Sequence, residues 1–169
     1  MATDQTSHPP KRRRPTRRVI VRTTVGLLVL FGLAQLVPFG RSTSNPPVTQ
    51  AAKFPDATTQ QLFMNACGDC HSNLTKRWWA TRIAPASWLA ENDVRGGRRI
   101  LNVSEWNRGQ ADVERVVEAT QSGSMPPIQY KLFHGNSRLS DAQRTQLADG
   151  LRKLYANDPP PIRQGGGDG

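Results

Sequence analysis

The chain has 169 residues, a formal charge of +10 and 36% hydrophobic residues, which excludes two full domains and leaves one foldable unit of about 100 residues with appendages. Lys11, Arg12, Arg13, Arg14, Arg17, Arg18 and Arg22 precede residue 23 against a single acid, Asp4. That run lies directly before an apolar stretch, so it points to a membrane and away from nucleic acid.

In chain order, residues 1–18 are polar, Pro-broken and basic, and read as a disordered tail on the cytoplasmic side. Residues 19–39 (VIVRTTVGLLVLFGLAQLVPF) carry no charge for the 17 residues from Thr23 to Phe39. This is the short end of a bilayer-spanning helix, with Arg22 placed to snorkel to the headgroups. The expectation is a single N-terminal transmembrane helix with everything after Phe39 on the outer, periplasmic side. A cleaved signal peptide is the rival, but GRSTSNPP after Phe39 fits a small-x-small cleavage site poorly. Residues 40–54 are Pro/Ser/Thr-rich and read as a flexible tether, so the folded domain is expected over 55–157.

Four helices are expected in that domain. The first starts at Asp56 or Thr58 and runs through Gln60, Leu62, Phe63 and Ala66, and the second starts at Pro85 and carries Trp88, Leu89 and Val94. The third holds Val113, Val116, Val117 and Thr120 and stops at Gly123 before Pro126. The fourth opens on Ser140 with Gln143 three residues on, a capping box, and continues with Leu147, Leu151, Leu154 and Tyr155. No stretch alternates like a strand over more than a few residues, so the fold class is all-α. Residues 158–169 (DPPPIRQGGGDG) read as a disordered tail.

The chemistry sits in Cys67-Gly68-Asp69-Cys70-His71, which holds the only two cysteines. C-x-x-C-H is the attachment signature of c-type haem. Two thiols three positions apart reach two vinyl groups of one haem, and the next residue presents an imidazole to the iron. A zinc site wants about four ligands, and only Cys67, Cys70, His71 and His134 are on offer. A thioredoxin-like pair wants a βαβ context that is absent. A structural disulfide would leave His71 unexplained. One covalent haem c per chain, with His71 as the proximal iron ligand, is the expectation, and with it a cytochrome-c-like domain of about four helices around one haem.

Met and His are the strong candidates for the sixth iron position. Met1 is on the cytoplasmic side and Met64 lies on the helix leading into the motif. Met125, 54 residues after His71 in Ser124-Met125-Pro126-Pro127, suits an extended loop over the distal face. His134, after Tyr130, is the alternative distal ligand; it could instead bond a propionate or cap the last helix. The four Trp offer packing area around a flat macrocycle. Indole N–H groups and Arg77, Arg82, Arg98 or Arg99 are candidate propionate partners.

The runs CGDCHSN, IAPASWL, GGRRILNVSEW, GSMPPIQYKLFH and RLSDAQRTQL, taken together, resemble a family of small bacterial haem-binding domains, over about Asp56 to Tyr155. Members are usually membrane-anchored. The resemblance gives Cys67, Cys70 and His71 the haem-binding roles and places Met125 at the family's M-P element. It departs after the motif, where Lys76-Arg77-Trp78-Trp79-Ala80 stands in place of a Trp-Pro-Trp-Tyr-like run.

The leading functional expectation is single-electron transfer at the outer face of the membrane, with membrane redox proteins as donor and acceptor. A His/Met-ligated iron is saturated and binds no substrate. The alternatives are a haem enzyme or redox/gas sensor with a labile sixth position, where His134 would serve as distal acid/base, and a haem-carrying subunit of a larger membrane complex.

Overall fold

Three helices that make the core each begin at a side-chain cap. The computed structural model describes residues 16–42 and 44–163; the disorder expected for 1–15 and 164–169 lies outside the described residues. Asp56 accepts from Thr59 N–H at 2.7 Å and opens α2 (Ala57–Ala66). Asp112 accepts from Glu114 N–H at 2.9 Å and opens α5 (Val113–Gln121). Ser140 and Gln143 cap each other reciprocally and open α7 (Asp141–Asn157). Such caps satisfy amide donors that no helix can satisfy internally.

The inward faces of these helices bury Leu62, Phe63, Ala66, Val117, Leu147, Ala148, Leu151 and Leu154. Trp106, Leu101 and Val103 close the same core from the loop after α4 (Ala86–Ile100). A Cβ on Gly150 would stand 2.3 Å from Thr59 Oγ1, so α2 and α7 approach as closely as they do because α7 has no side chain there. Around this core run the short α3 (Gly68–His71), a 3-10 turn over Trp79–Arg82, α6 (Ile128–Phe133) and a second 3-10 turn over Gly135–Ser137. Among the described residues no strand forms; isolated parallel bridges join Gln50 to Glu105 and Gln110 to Ile162. The fold is all-α.

The apolar core lies among α2, α5 and α7, with Cys67 packed at its edge. Several expectations need correction. Within 40–54, read as a flexible tether, Ala52 is buried and donates to the Val103 carbonyl at 2.8 Å, and Trp106 N–H donates to the Gln50 carbonyl at 2.8 Å. Past 157, Gln110 N–H donates to Pro161 O and Arg163 N–H to Gln110 O, each at 2.8 Å. These pairings run through backbone groups, which every residue carries, so no side-chain pattern announces them.

The chain divides into two units, one up to Val37 and one from Pro38. In the first, α1 (Arg17–Ala34) has no buried residue. The expected transmembrane helix over 19–39 is not found: among the described residues no helix is long and apolar enough to cross a membrane. Arg17, Arg18 and Arg22 occupy its first turns and the helix stops at Ala34. The uncharged helical stretch is thereby cut to Thr23–Ala34, roughly 18 Å at about 1.5 Å per residue, against a hydrocarbon core of about 30 Å.

Candidate functional site

α2 ends at Cys67, whose N–H still donates to Phe63 O at 2.7 Å, and the chain turns at once into α3. His71 N–H closes that single turn on the Cys67 carbonyl at 2.9 Å. Cys67, Cys70 and His71 line one cleft of about 240 Å³, and Met125, Pro126 and Pro127 line it too. Its remaining wall is α4, through Asn92, Asp93, Gly96, Gly97 and Ile100, together with Tyr130 of α6. A Cβ on Gly97 would lie 2.5 Å from the Cys70 carbonyl oxygen, whereas one on Gly96 would meet nothing within 4 Å. Gly97 therefore sets the approach of α4 to the motif, and Gly96 leaves room in the cleft.

His71 Nδ1 lies 3.0 Å from the Leu101 carbonyl. A carbonyl only accepts, so Nδ1 carries the proton and Nε2 keeps its lone pair. Burial lowers the His71 pKa against the opposing pull of the Leu101 and Gly97 carbonyls, which holds the ring in the neutral form that a metal needs. The Leu101 carbonyl is itself fixed by a buried amide ladder. Asn102 N–H donates to Gln110 Oε1 at 2.8 Å, and Asn102 Nδ2 donates to Asn73 Oδ1 at 2.9 Å. Asn73 N–H donates to Ser104 Oγ at 2.9 Å, and Val103 N–H donates to the His71 carbonyl at 2.9 Å.

Both cysteines are free. Burial pushes each thiol up to about 12, helped for Cys67 by Cys70 and for Cys70 by Asp93 and Asp69. They stay protonated at neutral pH, which suppresses spontaneous thiolate chemistry. Two protonated thiols, a neutral imidazole with an open Nε2 and a thioether on one apolar cleft are a donor set that fits a haem. Among the described residues no group of three or more His, Cys, Asp or Glu is arranged to hold a bare metal ion.

The structure treats the two candidate distal residues differently. Met125 lines the cleft with His71 and is 41% exposed. His134 lines an adjoining cavity of about 170 Å³ with Trp78 and Phe133, and stacks on Tyr130 at 3.9 Å between ring centres. The two cavities meet at Cys70, Asp93 and Tyr130.

Two of the four arginines singled out as propionate partners are already engaged. Arg77 pairs with Glu91 at 2.5 Å. Arg98 donates to Ser72 O, Thr75 Oγ1 and Asn45 Oδ1. Arg82 and Arg99 are exposed. Trp106 packs in the helical core and donates to Asp158 O at 2.7 Å, and Trp78 lines the cavity that holds His134.

Sequence reasoning missed Gly97, the Asn73–Asn102–Gln110 ladder and the contact of Tyr130 Oη with Asp69 Oδ2 at 2.7 Å. The paired glycines inside α4 were a readable signal, since a glycine costs a helix interior about 1 kcal/mol and is kept there for a reason of space. Nothing in the sequence marked the amides.

Comparison with known proteins finds a family described as a haem-binding domain that matches residues 29–153. No curated protein and no solved structure matches.

Proposed function

The chain belongs to the haem-binding domain family, and on that premise we propose that it carries one haem c in the cleft between α3, α4 and the Met125 loop and passes single electrons. The observation that carries this reading is that Cys67, Cys70, His71 and Met125 line one cleft. Each thiol adds across a vinyl double bond: a sulfur–carbon bond forms, the thiol proton goes to the neighbouring vinyl carbon, and nothing leaves. His71 offers Nε2 as the proximal ligand, with its ring held by the Leu101 carbonyl. Met125 offers its sulfur as the sixth ligand. The bound group supplies a one-electron iron couple, whose potential a thioether ligand raises. The apolar walls limit water around the iron, which leaves little rearrangement to accompany electron transfer.

The basic run before the uncharged segment 23–39 supports delivery of the domain to the outer side of a membrane, where its donor and acceptor would be membrane redox proteins. A second reading, a haem enzyme or gas/redox sensor, is favoured by the exposure of Met125 on a loop, which suits a ligand that comes off.

Absorption spectra of the matured protein, oxidised and reduced, with and without carbon monoxide, test the proposal. A c-type reduced spectrum that carbon monoxide leaves unchanged is expected of the electron carrier. A spectrum shifted by carbon monoxide replaces it with the enzyme or sensor reading. A protein that takes up no haem sinks both.

A further inference from the structure

α6 follows directly on Met125-Pro126-Pro127, yet it is held lightly. It has no buried residue, and Ile128, Leu132 and Phe133 are 67%, 62% and 68% exposed, so apolar burial contributes little to keeping it in place. Its hydrogen bonds are almost all local. Lys131 Nζ donates to Gly123 O, Arg138 Nε donates to Lys131 O, and His134 N–H donates to Tyr130 O. Each of these stays within residues 123–138; Ser137 is fully buried and the turn over 135–137 packs on α2, so the segment is anchored at its two ends and held lightly between them.

One bond of α6 does not stay within that segment. Tyr130 Oη donates to Asp69 Oδ2 at 2.7 Å across 61 positions of chain. Asp69 lies between the two cysteines, and its other oxygen accepts from Lys76 N–H at 2.9 Å, so the acceptor is fixed to the attachment motif. Tyr130 N–H donates to Pro127 O at 3.1 Å, so the ring is tied within one turn to the Met125 loop. Among the described residues α6 also makes a ring contact beyond its own segment, Phe133 on Trp78, 5.9 Å between centres with both side chains well exposed. A hydrogen bond to a carboxylate in a half-buried position is much the stronger tie.

We propose that Tyr130 is a positioning residue for the sixth iron ligand: its bond to Asp69 latches α6, and with it the Met125 loop, over the cleft. The inference rests on the haem reading above and adds what keeps the distal side closed. With the latch gone, Met125 retains its own N–H bond to Ala119 O at 3.0 Å, which anchors the start of the loop but not its far end. The loop then opens on its Pro126–Pro127 side, and the methionine leaves the iron more often.

The test compares the full-length, haem-loaded protein with Tyr130→Phe and, as a control, Tyr155→Phe. Tyr155 also loses one hydroxyl bond, to Ala111 O at 2.9 Å, but on α7. Three quantities are read: carbon monoxide binding to the reduced protein, its reduction potential, and trypsin cleavage after Lys131 followed by mass spectrometry. Tyr130→Phe is expected to raise carbon monoxide binding and cleavage about tenfold or more, the factor of a lost charge-assisted hydrogen bond, and to lower the reduction potential. Tyr155→Phe is expected to leave all three near the parent values. Asp69→Asn, which keeps an acceptor for the hydroxyl, is expected to fall between parent and Tyr130→Phe. Unchanged carbon monoxide binding and cleavage in Tyr130→Phe overturn the latch, and so do equal changes in Tyr155→Phe. If the parent takes no haem, the haem reading has failed; if it binds carbon monoxide freely, the electron-carrier reading with Met125 as sixth ligand has failed; in either case cleavage after Lys131 alone then decides the latch.

Discussion

The imidazole of His71 and the carbonyl of Leu101, 30 positions apart in sequence, meet at 3.0 Å at the end of a buried polar ladder. The carbonyl belongs to the first residue past α4, and the next backbone N–H, that of Asn102, is satisfied by the side chain of Gln110. The orientation of the ring is thus referred to a glutamine in the loop before α5.

Gln110→Ala removes the acceptor for Asn102 N–H and the donor to Glu105 O. Orphaning a buried donor costs about 1–3 kcal/mol, so the denaturation midpoint is expected to fall with an unchanged slope. In the haem-loaded protein the proximal His71 resonances are expected to broaden as the Leu101 carbonyl loses its support. A midpoint equal to the parent's would show the ladder to be dispensable.

The paired glycines of α4 separate helix propensity from space. Gly96→Ala meets open space and is expected to stabilise the protein by about 0.5–1 kcal/mol. Gly97→Ala gains the same propensity but drives a methyl group to 2.5 Å from the Cys70 carbonyl. It is expected to destabilise, and to slow haem attachment by displacing the motif. Calorimetry of the two variants side by side checks the opposite signs.

Met125→Ala is expected to keep the covalent haem, which depends on Cys67 and Cys70, while opening the iron to small ligands and lowering its potential. Voltammetry and carbon monoxide titration read both. A variant with the parent's spectrum and potential would move the sixth ligand elsewhere.

Glu91 bridges Arg77 at 2.5 Å and Arg95 at 2.6 Å. Burial alone would raise its pKa, but the hydrogen bonds from Arg95 and Arg77 outweigh it and hold the carboxyl below its ordinary 4.5. A depressed folded-state value contributes stability that is present above 4.5 and is lost as pH falls through the folded-state value. Glu91→Gln is expected to lose on the order of 3 kcal/mol at neutral pH, because Arg77 is left buried and unpaired, and to flatten the acid limb of the stability curve. Urea melts from pH 7 to pH 3 on both proteins test it; parallel curves would exclude Glu91 from the acid response.

What was legible in the sequence follows the range of the interactions. Asp56, Pro85, Gly123 and the Ser140/Gln143 pair act on backbone within a few residues of themselves, and helices begin or end beside each of them. The C-x-x-C-H spacing is likewise local. The pairings of Gln50 with Glu105 and Gln110 with Ile162 use backbone groups that every residue carries, so no pattern announces them. α1 was misjudged by counting uncharged residues alone: its length is set by where the backbone leaves the helix, at Ala34. Tyr130 and Asp69 are ordinary surface residue types, and only the fold brings them together.

The loop 101–111 that supports His71 is pinned by chain that follows it at a distance. Gln110 is clasped by Pro161 and Arg163, whereas the attachment motif ends at His71, 92 residues earlier. During synthesis the two thiols therefore emerge long before the partners that seat the imidazole exist. A chain cut after residue 157 is therefore expected to keep both thiols and the imidazole while losing the clasp on Gln110 that steadies the Leu101 carbonyl.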